Sequence, residues 1–287
     1  MKRKKKAGTI GYVIFLSLFL FVMIAPMLYM ISASFMPQSD LNMIPPRLLP
    51  SKATLENYAR ALAQQPIIKY VYNSFIITII AVVICVTAGS MASYALTRTN
   101  IRFKTTFLVF VLAISLLPTI TLINPIFKMY SNMGLLNTHI GLAVIISVLD
   151  LPMTIWFLTA VLKNVPISFE ESAKLDGANM FQIFIYILLP LLKASIFSIS
   201  ILVFIGAWNR FLLSQVLNQF EDCRTVVVGL TLYQTTHTIP FGVVAAAAMI
   251  TILPLLLMVL VFQKNILGGI MEGGVKEYPL FVNSLRQ

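Results

Sequence analysis

Six stretches of the chain are almost entirely apolar and long enough to cross a bilayer as helices. No charged residue occurs between Lys69 and Arg98, for example. A transmembrane helix needs about 20 apolar residues. The pattern predicts an all-α, polytopic membrane protein, with one transmembrane domain over residues 1–287 and a cytoplasmic tail at 264–287. The predicted spans are 10–33, 73–97, 105–127, 139–161, 190–212 and 242–263.

The basic residues favour one orientation of these spans. With the N-terminus inside, the inside segments carry 14 Lys and Arg residues and the outside segments carry 7. Because cytoplasmic loops hold an excess of Lys and Arg, we predict that both termini face the cytoplasm. The first apolar run, 10–31, exceeds the signal-peptide core of about 7–15 residues, so we interpret it as a retained span, although ISASF at 31–35 also fits a cleavage site.

The composition agrees with a bilayer environment and argues against several functions. The chain is 59% hydrophobic and 11% charged, whereas soluble domains are about 25% charged. The net charge of +11 does not indicate nucleic acid, because the basic residues flank apolar spans. The two cysteines and two histidines lack metal-ligand spacing. No phosphate-binding loop or catalytic motif is present, so we predict neither an enzyme nor a bound cofactor or metal.

A mixed polar and apolar segment separates the fourth and fifth spans, on the predicted cytoplasmic side. Within this 164–190 loop, a helix is predicted to start at Ser168 with a capping box to Glu171. Asp176-Gly177 should end it, since glycine permits a left-handed turn. A second helix follows, and the sequence places an apolar face on it at Met180, Ile183, Phe184, Ile187 and Leu191.

Two interpretations of this helix–turn–helix follow from the residues alone. The hairpin either lies against the membrane without a partner or fills a groove on a soluble partner. In the second interpretation, the carboxylates of Glu170, Glu171 and Asp176 meet Arg or Lys side chains there.

The same stretch resembles the EAA loop of ABC importer permeases, whose pattern is E-A-A-x3-G-x9-I-x-L-P. The matching positions are Glu171, Ser172, Ala173, Gly177, Ile187, Leu189 and Pro190, and Ser172 is the one departure. The pieces SFMPQSDL, TLENYARAL, SYALTRTNIRFK, LPMTIWFL, AWNRFLLSQVL and EGGVKEY are similar to carbohydrate-type permeases, specifically the maltose-type second permease.

The resemblance implies a permease subunit of a binding-protein-dependent importer of a sugar or oligosaccharide, in the bacterial plasma (inner) membrane. The implied partners are a sister permease, two ATPase subunits that bind ATP and Mg, and an extracytoplasmic solute-binding protein. The 164–190 loop would dock on the ATPase, and the tail would contact it through Gly273, Gly274 and Lys276, although Glu277 departs from the family's final glycine. The implied docking residues are Glu170, Glu171, Ser172, Ala173, Asp176, Gly177, Ala178, Ile187, Leu189 and Pro190.

A few polar residues within the spans are candidates for the solute pathway. Asp150 is the one acid inside a span, where it costs about 2.5–3.5 kcal/mol. It should therefore contact either a solute or a neighbouring helix near Pro152. Asn124, beside a predicted kink at the following proline, and Asn209 are further candidates. Arg210 is expected to reach the membrane interface.

An alternative class is a self-sufficient secondary transporter or channel for a small solute. That class needs ion-coupling acids or paired charges within the spans, and Asp150 alone is available. A membrane enzyme is a third option, but the sequence shows no catalytic cluster.

Overall fold

The computed structural model describes residues 2–233 and 240–274, with side chains for residues 12–233 and 240–262. Within these ranges, the chain consists of helices and their connections and contains no β-strand. The predicted all-α fold is therefore confirmed for the described residues.

The chain divides into two compact units. The first comprises Met1–Val71 and Val226–Pro254, and the second comprises Tyr72–Thr225 and Leu255–Gln287. In chain order, the helices are α1 (Lys2–Ser34), α2 (Gln38–Leu41), α3 (Glu56–Gln64), α4 (Ile67–Arg98), α5 (Lys104–Ser115), α6 (Thr119–Met133), α7 (His139–Leu162), α8 (Ser168–Leu175), α9 (Met180–Gln182), α10 (Leu189–Leu191), α11 (Lys193–Trp208), α12 (Phe211–Leu217), α13 (Val226–Gly229) and α14 (Phe241–Gly274), with a π-helical turn at Ile183–Leu188 and a 3₁₀ turn at Leu230–Tyr233.

Four helices in the described part of the chain are long and apolar enough to cross a membrane. Two pairs of helices pass the same test together but are bent: α5 with α6 by 91°, and Met180–Leu191 with α11 by 77°. By length and composition, the described residues thus provide four spans, or up to six if each bent pair is one span. The four unbroken candidates are Tyr12–Ser34, Ile67–Arg98, His139–Leu162 and Phe241–Phe262.

The bend in the third predicted span lies at residues 116–118. Pro118 is extended, with φ −60° and ψ 124°, and directly precedes α6. Proline lacks an N–H donor and disfavours helical geometry in the residue before it, so α5 ends ahead of this position. α6 continues across Pro125, so the break between helices lies at 116–118, and the kink that the sequence predicts at Asn124-Pro125 stays a prediction.

In the first unit, α3 is held to the end of α1 by the side chain of Asn57, which is 3% exposed. Its Nδ2 donates hydrogen bonds to the carbonyls of Ser34, at 3.1 Å, and Met36, at 2.8 Å. Gly242, at the start of α14, lies directly against the same amide, because a Cβ there would come within 2.6 Å of Nδ2. One buried amide therefore joins the ends of three helices.

In the second unit, α4 and α7 pack closely through small and hydroxylated residues. Ser147 donates to the carbonyl of Ala81 at 3.1 Å, and Ser93 donates to the carbonyl of Ile155 at 3.0 Å. A Cβ on Gly89 would lie 2.5 Å from a threonine methyl of α7. Small residues let helix backbones approach in membranes, where interhelical hydrogen bonds also stabilise the contact.

The connection between α6 and α7 begins with a glycine that ends α6. Gly134 has φ +68°, and its N–H donates to the Ser131 carbonyl, while the Leu135 N–H donates to the Tyr130 carbonyl at 2.9 Å. These two bonds form a Schellman motif, which requires a left-handed residue at the glycine position.

Replacing Gly141 with alanine should destabilise the start of α7 by about 1–3 kcal/mol, the usual cost of overpacking. A Cβ there would lie 2.4 Å from the Leu135 carbonyl oxygen and 2.6 Å from Thr138 Oγ1. The hydroxyl of Thr138 caps α7 by accepting from the Gly141 N–H at 3.0 Å. The thermal midpoint of the purified protein, followed by tryptophan fluorescence, measures the change.

The matched control is Gly206→Ala in α11. Its Cβ would meet its nearest neighbour at 3.7 Å, an ordinary van der Waals distance. Helical geometry accommodates alanine there, so the thermal midpoint should stay level or rise slightly. If the Gly141 variant were as stable as the Gly206 variant, the α6–α7 connection would be able to shift and accommodate the added methyl group without loss of stability.

Candidate functional site

The 164–190 loop folds as a helical hairpin, as predicted, but it is capped differently. α8 begins at Ser168 with Ile167 as its N-cap, and no side chain caps it, so the predicted Ser168–Glu171 capping box is wrong. The capping box of the loop lies at the second helix instead. The Asn179 N–H donates to Gln182 Oε1 at 2.8 Å, and the Gln182 N–H donates to Asn179 Oδ1 at 2.9 Å.

The turn between the two helices is built on Gly177. Its φ is +85°, which confirms the predicted left-handed geometry. The Gly177 N–H donates to the Lys174 carbonyl at 3.1 Å and the Ala178 N–H donates to the Ala173 carbonyl at 2.9 Å. This is a second Schellman motif, and a residue with a Cβ is strained at its glycine position. A Cβ on Gly177 would have no heavy atom within 4 Å, so the turn is open to the surroundings.

The second half of the hairpin is π-helical, which alters its predicted apolar face. Ile183 and Leu188 are fully buried five residues apart, whereas Met180 and Leu191 are about half exposed. The wider π turn brings residues i and i+5 onto one face. The predicted apolar face is therefore wrong at its two ends, Met180 and Leu191. It is right at its centre, where Ile183 is buried and Phe184 and Ile187 are partly buried.

An apolar cluster holds the hairpin against the rest of the second unit. Ala173 from α8 and Ile183 and Leu188 from the π turn pack with Tyr94 of α4, Leu162 of α7 and Leu192. The Tyr94 ring also contacts Phe184, with 5.4 Å between ring centroids. The hairpin is therefore seated on the ends of two long helices.

The predicted docking residues fall into three groups by exposure. Three are partly exposed, namely Ala178, Ile187 and Leu189, and two are buried, namely Ala173 and Glu170. The third group of predicted docking residues is exposed and comprises Glu171, Ser172, Asp176, Gly177 and Pro190.

A surface depression of about 320 Å³ lies at the turn, lined by Asp176, Gly177, Ala178, Gln182, Tyr186 and Ile187.

Glu170 lies inside the second unit rather than on the surface of the hairpin. It is 2% exposed, and its Oε1 accepts from Arg98 Nε at 2.5 Å. Arg98 Nη2 also donates to the Val165 carbonyl at 2.8 Å. The expected contact of this carboxylate with a cation on a partner is thus corrected: its cation is Arg98 of the same chain. No spacing pattern signals this pair, since its members lie 72 residues apart.

Asp150 is paired within the chain as well. Its Oδ1 accepts a hydrogen bond from Nη2 of Arg210, which lies two residues after the end of α11, and the two side chains are 17% and 26% exposed. Arg210, which the sequence places near the end of the fifth predicted span, therefore has Asp150 as its ion-pair partner. The other carboxylate oxygen and Arg210 Nε are buried and have no protein partner within the described residues.

Asp150 also lines a cavity of about 230 Å³ between α7 and α11. Thr154, Ile199 and Gly206 are among the other lining residues. The remaining pathway candidates lie elsewhere. Asn124 is exposed on α6, and exposed Asn209 donates to the Ile205 carbonyl of the preceding helix at 2.9 Å.

The predicted tail contacts lie beyond the side chains that the structure describes. Gly273 and Gly274 end α14, past residue 262, and Lys276 lies outside the described residues.

An all-helical membrane protein with a helical hairpin seated between long spans fits the permease class of transport proteins. The chain belongs to the family described as the binding-protein-dependent transport system inner membrane component, whose model matches residues 85–267. The resemblance to importer permeases is thus confirmed. The protein is a multi-pass inner membrane component of a transport system and belongs to a family of permease components rather than ATPases.

Individual relatives agree with this assignment. The chain is 35% identical to the trehalose/maltose transport system permease protein MalG of Thermococcus litoralis, over 88% of this chain and 91% of that protein. It is 30% identical to the sulfoquinovosyl glycerol transport system permease protein SmoH of Agrobacterium fabrum, over 88% of each chain. The fold matches a chain from a bacterial ABC transporter involved in alginate import, with a TM-score of 0.80, 23% identity and coverage of 91% and 97%.

Proposed function

We propose that this chain is the permease subunit of a sugar importer and that a partner ATPase drives it through the 164–190 loop. The observation that carries the proposal is the hairpin itself. A pattern typical of ATPase docking loops folds into two helices, with an open glycine turn at the tip and a buried base.

The exposed part of the hairpin has the properties of a docking surface. Glu171, Ser172 and Asp176 are exposed around the turn at Gly177. Carboxylates form strong charge-assisted hydrogen bonds with arginine and lysine. The open space around Gly177 lets another backbone approach closely. We assign recognition of the ATPase to these residues and to half-exposed Ala178, Ile187 and Leu189, with Pro190 at the rim. Ala173 and Glu170 support the surface from below.

We propose six spans within one transmembrane domain, with both termini and the 164–190 loop in the cytoplasm. Counting each bent helix pair as one span, with α11 as the part of the second pair that lies in the membrane, gives six crossings, which returns the chain to the side on which it starts. The twofold excess of basic residues in the inside segments, 14 against 7, supports this orientation.

The proposed solute is a sugar or oligosaccharide. The names of the relatives refer to trehalose, maltose and sulfoquinovosyl glycerol, which are all glycosides.

Family membership implies a separate ATPase and a solute-binding protein. We further propose a sister permease that forms the other half of the pathway and two ATPase subunits that hold ATP and Mg. This chain would bind no cofactor itself, and Gly273, Gly274 and Lys276 would extend toward the ATPase dimer.

We place the solute pathway of this subunit beside the pair formed by Asp150 and Arg210. Each partner has one buried polar atom without a protein partner among the described residues, and Asp150 lines a cavity between α7 and α11. Solute hydroxyls can donate to a carboxylate and accept from a guanidinium. Asn209 lies next to Arg210 in sequence, and we retain it and Asn124 as pathway candidates.

The docking role is tested with Gly177→Arg, compared with Gly134→Arg. Both glycines occupy the left-handed position of a Schellman motif, and a Cβ added to either would have no heavy atom within 4 Å. The backbone strain is therefore matched, and only Gly177 lies in the docking loop. The chain is purified from cells that also express the genes adjacent to its own. We expect Gly177→Arg to lower the amount of ATPase that co-purifies at least tenfold relative to the unmodified chain. Gly134→Arg should retain more than half of the unmodified amount.

Equal ATPase recovery with both variants would remove the docking role from the 164–190 loop. Recovery of no ATPase with the folded, unmodified chain would favour the secondary transporter. That protein would couple transport to an ion through Asp150 and Arg210, the charged pair found next to a cavity.

A further inference from the structure

We infer that Arg98 is a positioning residue that transmits movement of the docking helix α8 to the transmembrane helix α4. The inference rests on the proposed function, since it needs an ATPase that moves the 164–190 loop. It adds a specific mechanical link to that function, made by the hydrogen bonds of Arg98 to Glu170 and to Val165.

The geometry of Arg98 suits a rigid link. One guanidinium donates through Nε to Glu170 Oε1 at 2.5 Å and through Nη2 to the Val165 carbonyl at 2.8 Å. Glu170 belongs to α8, whereas Val165 lies in the connection that precedes α8. Arg98 therefore binds both α8 and the connection that precedes it. Because both are bound, α8 cannot rotate about this connection independently of α4.

The electrostatic setting strengthens this link. The side chains of Arg98 and Glu170 are 8% and 3% exposed, so water and salt screen the pair weakly. Arg98 lies in the last turn of α4 and Glu170 in the first turn of α8. A cation at a helix C-terminus and an anion at a helix N-terminus are each favoured by the helix dipole. Breaking the link leaves two unpaired buried charges, so it should resist the force of a moving loop.

The rest of the hairpin has a different attachment to α4. Tyr94, one turn before Arg98, contacts Phe184 and the apolar cluster beneath the π turn. Apolar contacts of this kind are non-directional and can slide, whereas a guanidinium with two fixed acceptors holds one geometry. The first helix of the hairpin, which carries Glu171, thus depends on Arg98 for a fixed connection to α4.

The test is hydrogen exchange measured by mass spectrometry on the full complex of permeases and ATPase, with and without the ATP analogue AMP-PNP and Mg. In the unmodified complex, we expect AMP-PNP to change exchange in the 171–178 segment and at the end of α4, residues 94–98. In Arg98→Gln, the 171–178 response should persist, and the α4 response should fall at least threefold.

Three further variants make the result specific. Arg98→Lys keeps the charge and the fold, but a single ammonium fits the two acceptors less well than the planar guanidinium, so its α4 response should be intermediate. The exchanged pair Arg98→Glu with Glu170→Arg should recover part of the response that Arg98→Gln loses. Arg102→Gln is the matched control, because Arg102 is exposed just beyond α4, and it should respond like the unmodified chain.

The possible results separate the two proposals. A full α4 response in both Arg98→Gln and Arg98→Lys would overturn the link and leave docking intact. If Arg98→Gln does not fold, a full response in the folded Arg98→Lys complex would overturn the link, and a reduced response would support it. Absence of any 171–178 response in the unmodified complex would contradict the docking function, and the link would fall with it.

Discussion

Replacing Asp150 with alanine is expected to destabilise the protein by about 2–4 kcal/mol. The change leaves the Arg210 guanidinium in an apolar environment without its carboxylate. Loss of one partner of a buried ion pair costs about 3–5 kcal/mol, and we lower the range because the side chains are 17% and 26% exposed. Thermal unfolding of the purified permease in detergent, compared at equal protein concentration, measures the loss.

A double variant, Asp150→Leu with Arg210→Met, is the key comparison. Removing both charges avoids the unpaired cation, so most of the stability should return. The exposed pair of Arg60 and Glu56, whose side chains are 50% and 55% exposed, supplies a control. Glu56→Ala should cost less than about 1 kcal/mol. A single Asp150 variant as stable as Glu56→Ala would mean that the pair contributes nothing to the fold.

The same double variant separates the two interpretations of Asp150. If the pair only joins α7 to the end of α11, a stable uncharged replacement should still transport sugar. If the free carboxylate oxygen and the free guanidinium nitrogen bind solute hydroxyls, transport should fall although the protein is stable. Uptake per correctly folded molecule distinguishes these results.

Replacing Asn57 with leucine is expected to cost about 2–4 kcal/mol. Leucine has a similar size, so the main effect is loss of the two donors that Nδ2 provides to the carbonyls of Ser34 and Met36. Each buried carbonyl left without a partner costs about 1–3 kcal/mol. The expected result is a lower thermal midpoint and earlier proteolysis between α1 and α3.

Gln64→Leu on the same helix is the control for Asn57. Gln64 is exposed at the end of α3, and exposed substitutions of this kind usually change stability by less than about 0.5 kcal/mol. If both leucine variants behaved alike, the two hydrogen bonds of Asn57 would carry no net stabilisation.

The sequence predicts the long helices of this fold well because their apolar runs admit no other structure in a bilayer. The second span, predicted at 73–97, lies within α4, and the fourth, predicted at 139–161, matches α7 nearly residue for residue. The turn at Gly177 was also predictable, because Asp-Gly after a short amphipathic helix favours a left-handed end.

The bends and buried pairs could not be predicted from periodicity. Pro118 and Pro125 look equivalent in sequence, yet only Pro118 stands at a helix break. The π turn adds one residue to the repeat, and no pattern of 3.6 residues reveals it. Glu170 looks like its exposed neighbour Glu171, and only the position of α4 shows that one is buried against Arg98.

The pairing of Asp150 with Arg210 also has a consequence for biosynthesis. The two residues are 60 positions apart, and ribosomes add about 5–20 residues per second. Asp150 is therefore synthesised roughly 3–12 seconds before its counter-ion exists. During that interval the Asp150 carboxylate has no counter-ion, and it is most stable near water, at the insertion machinery or outside the bilayer. We therefore expect release of α7 into lipid to wait for synthesis of α11 and of Arg210 beyond it, so that the two helices enter the membrane together.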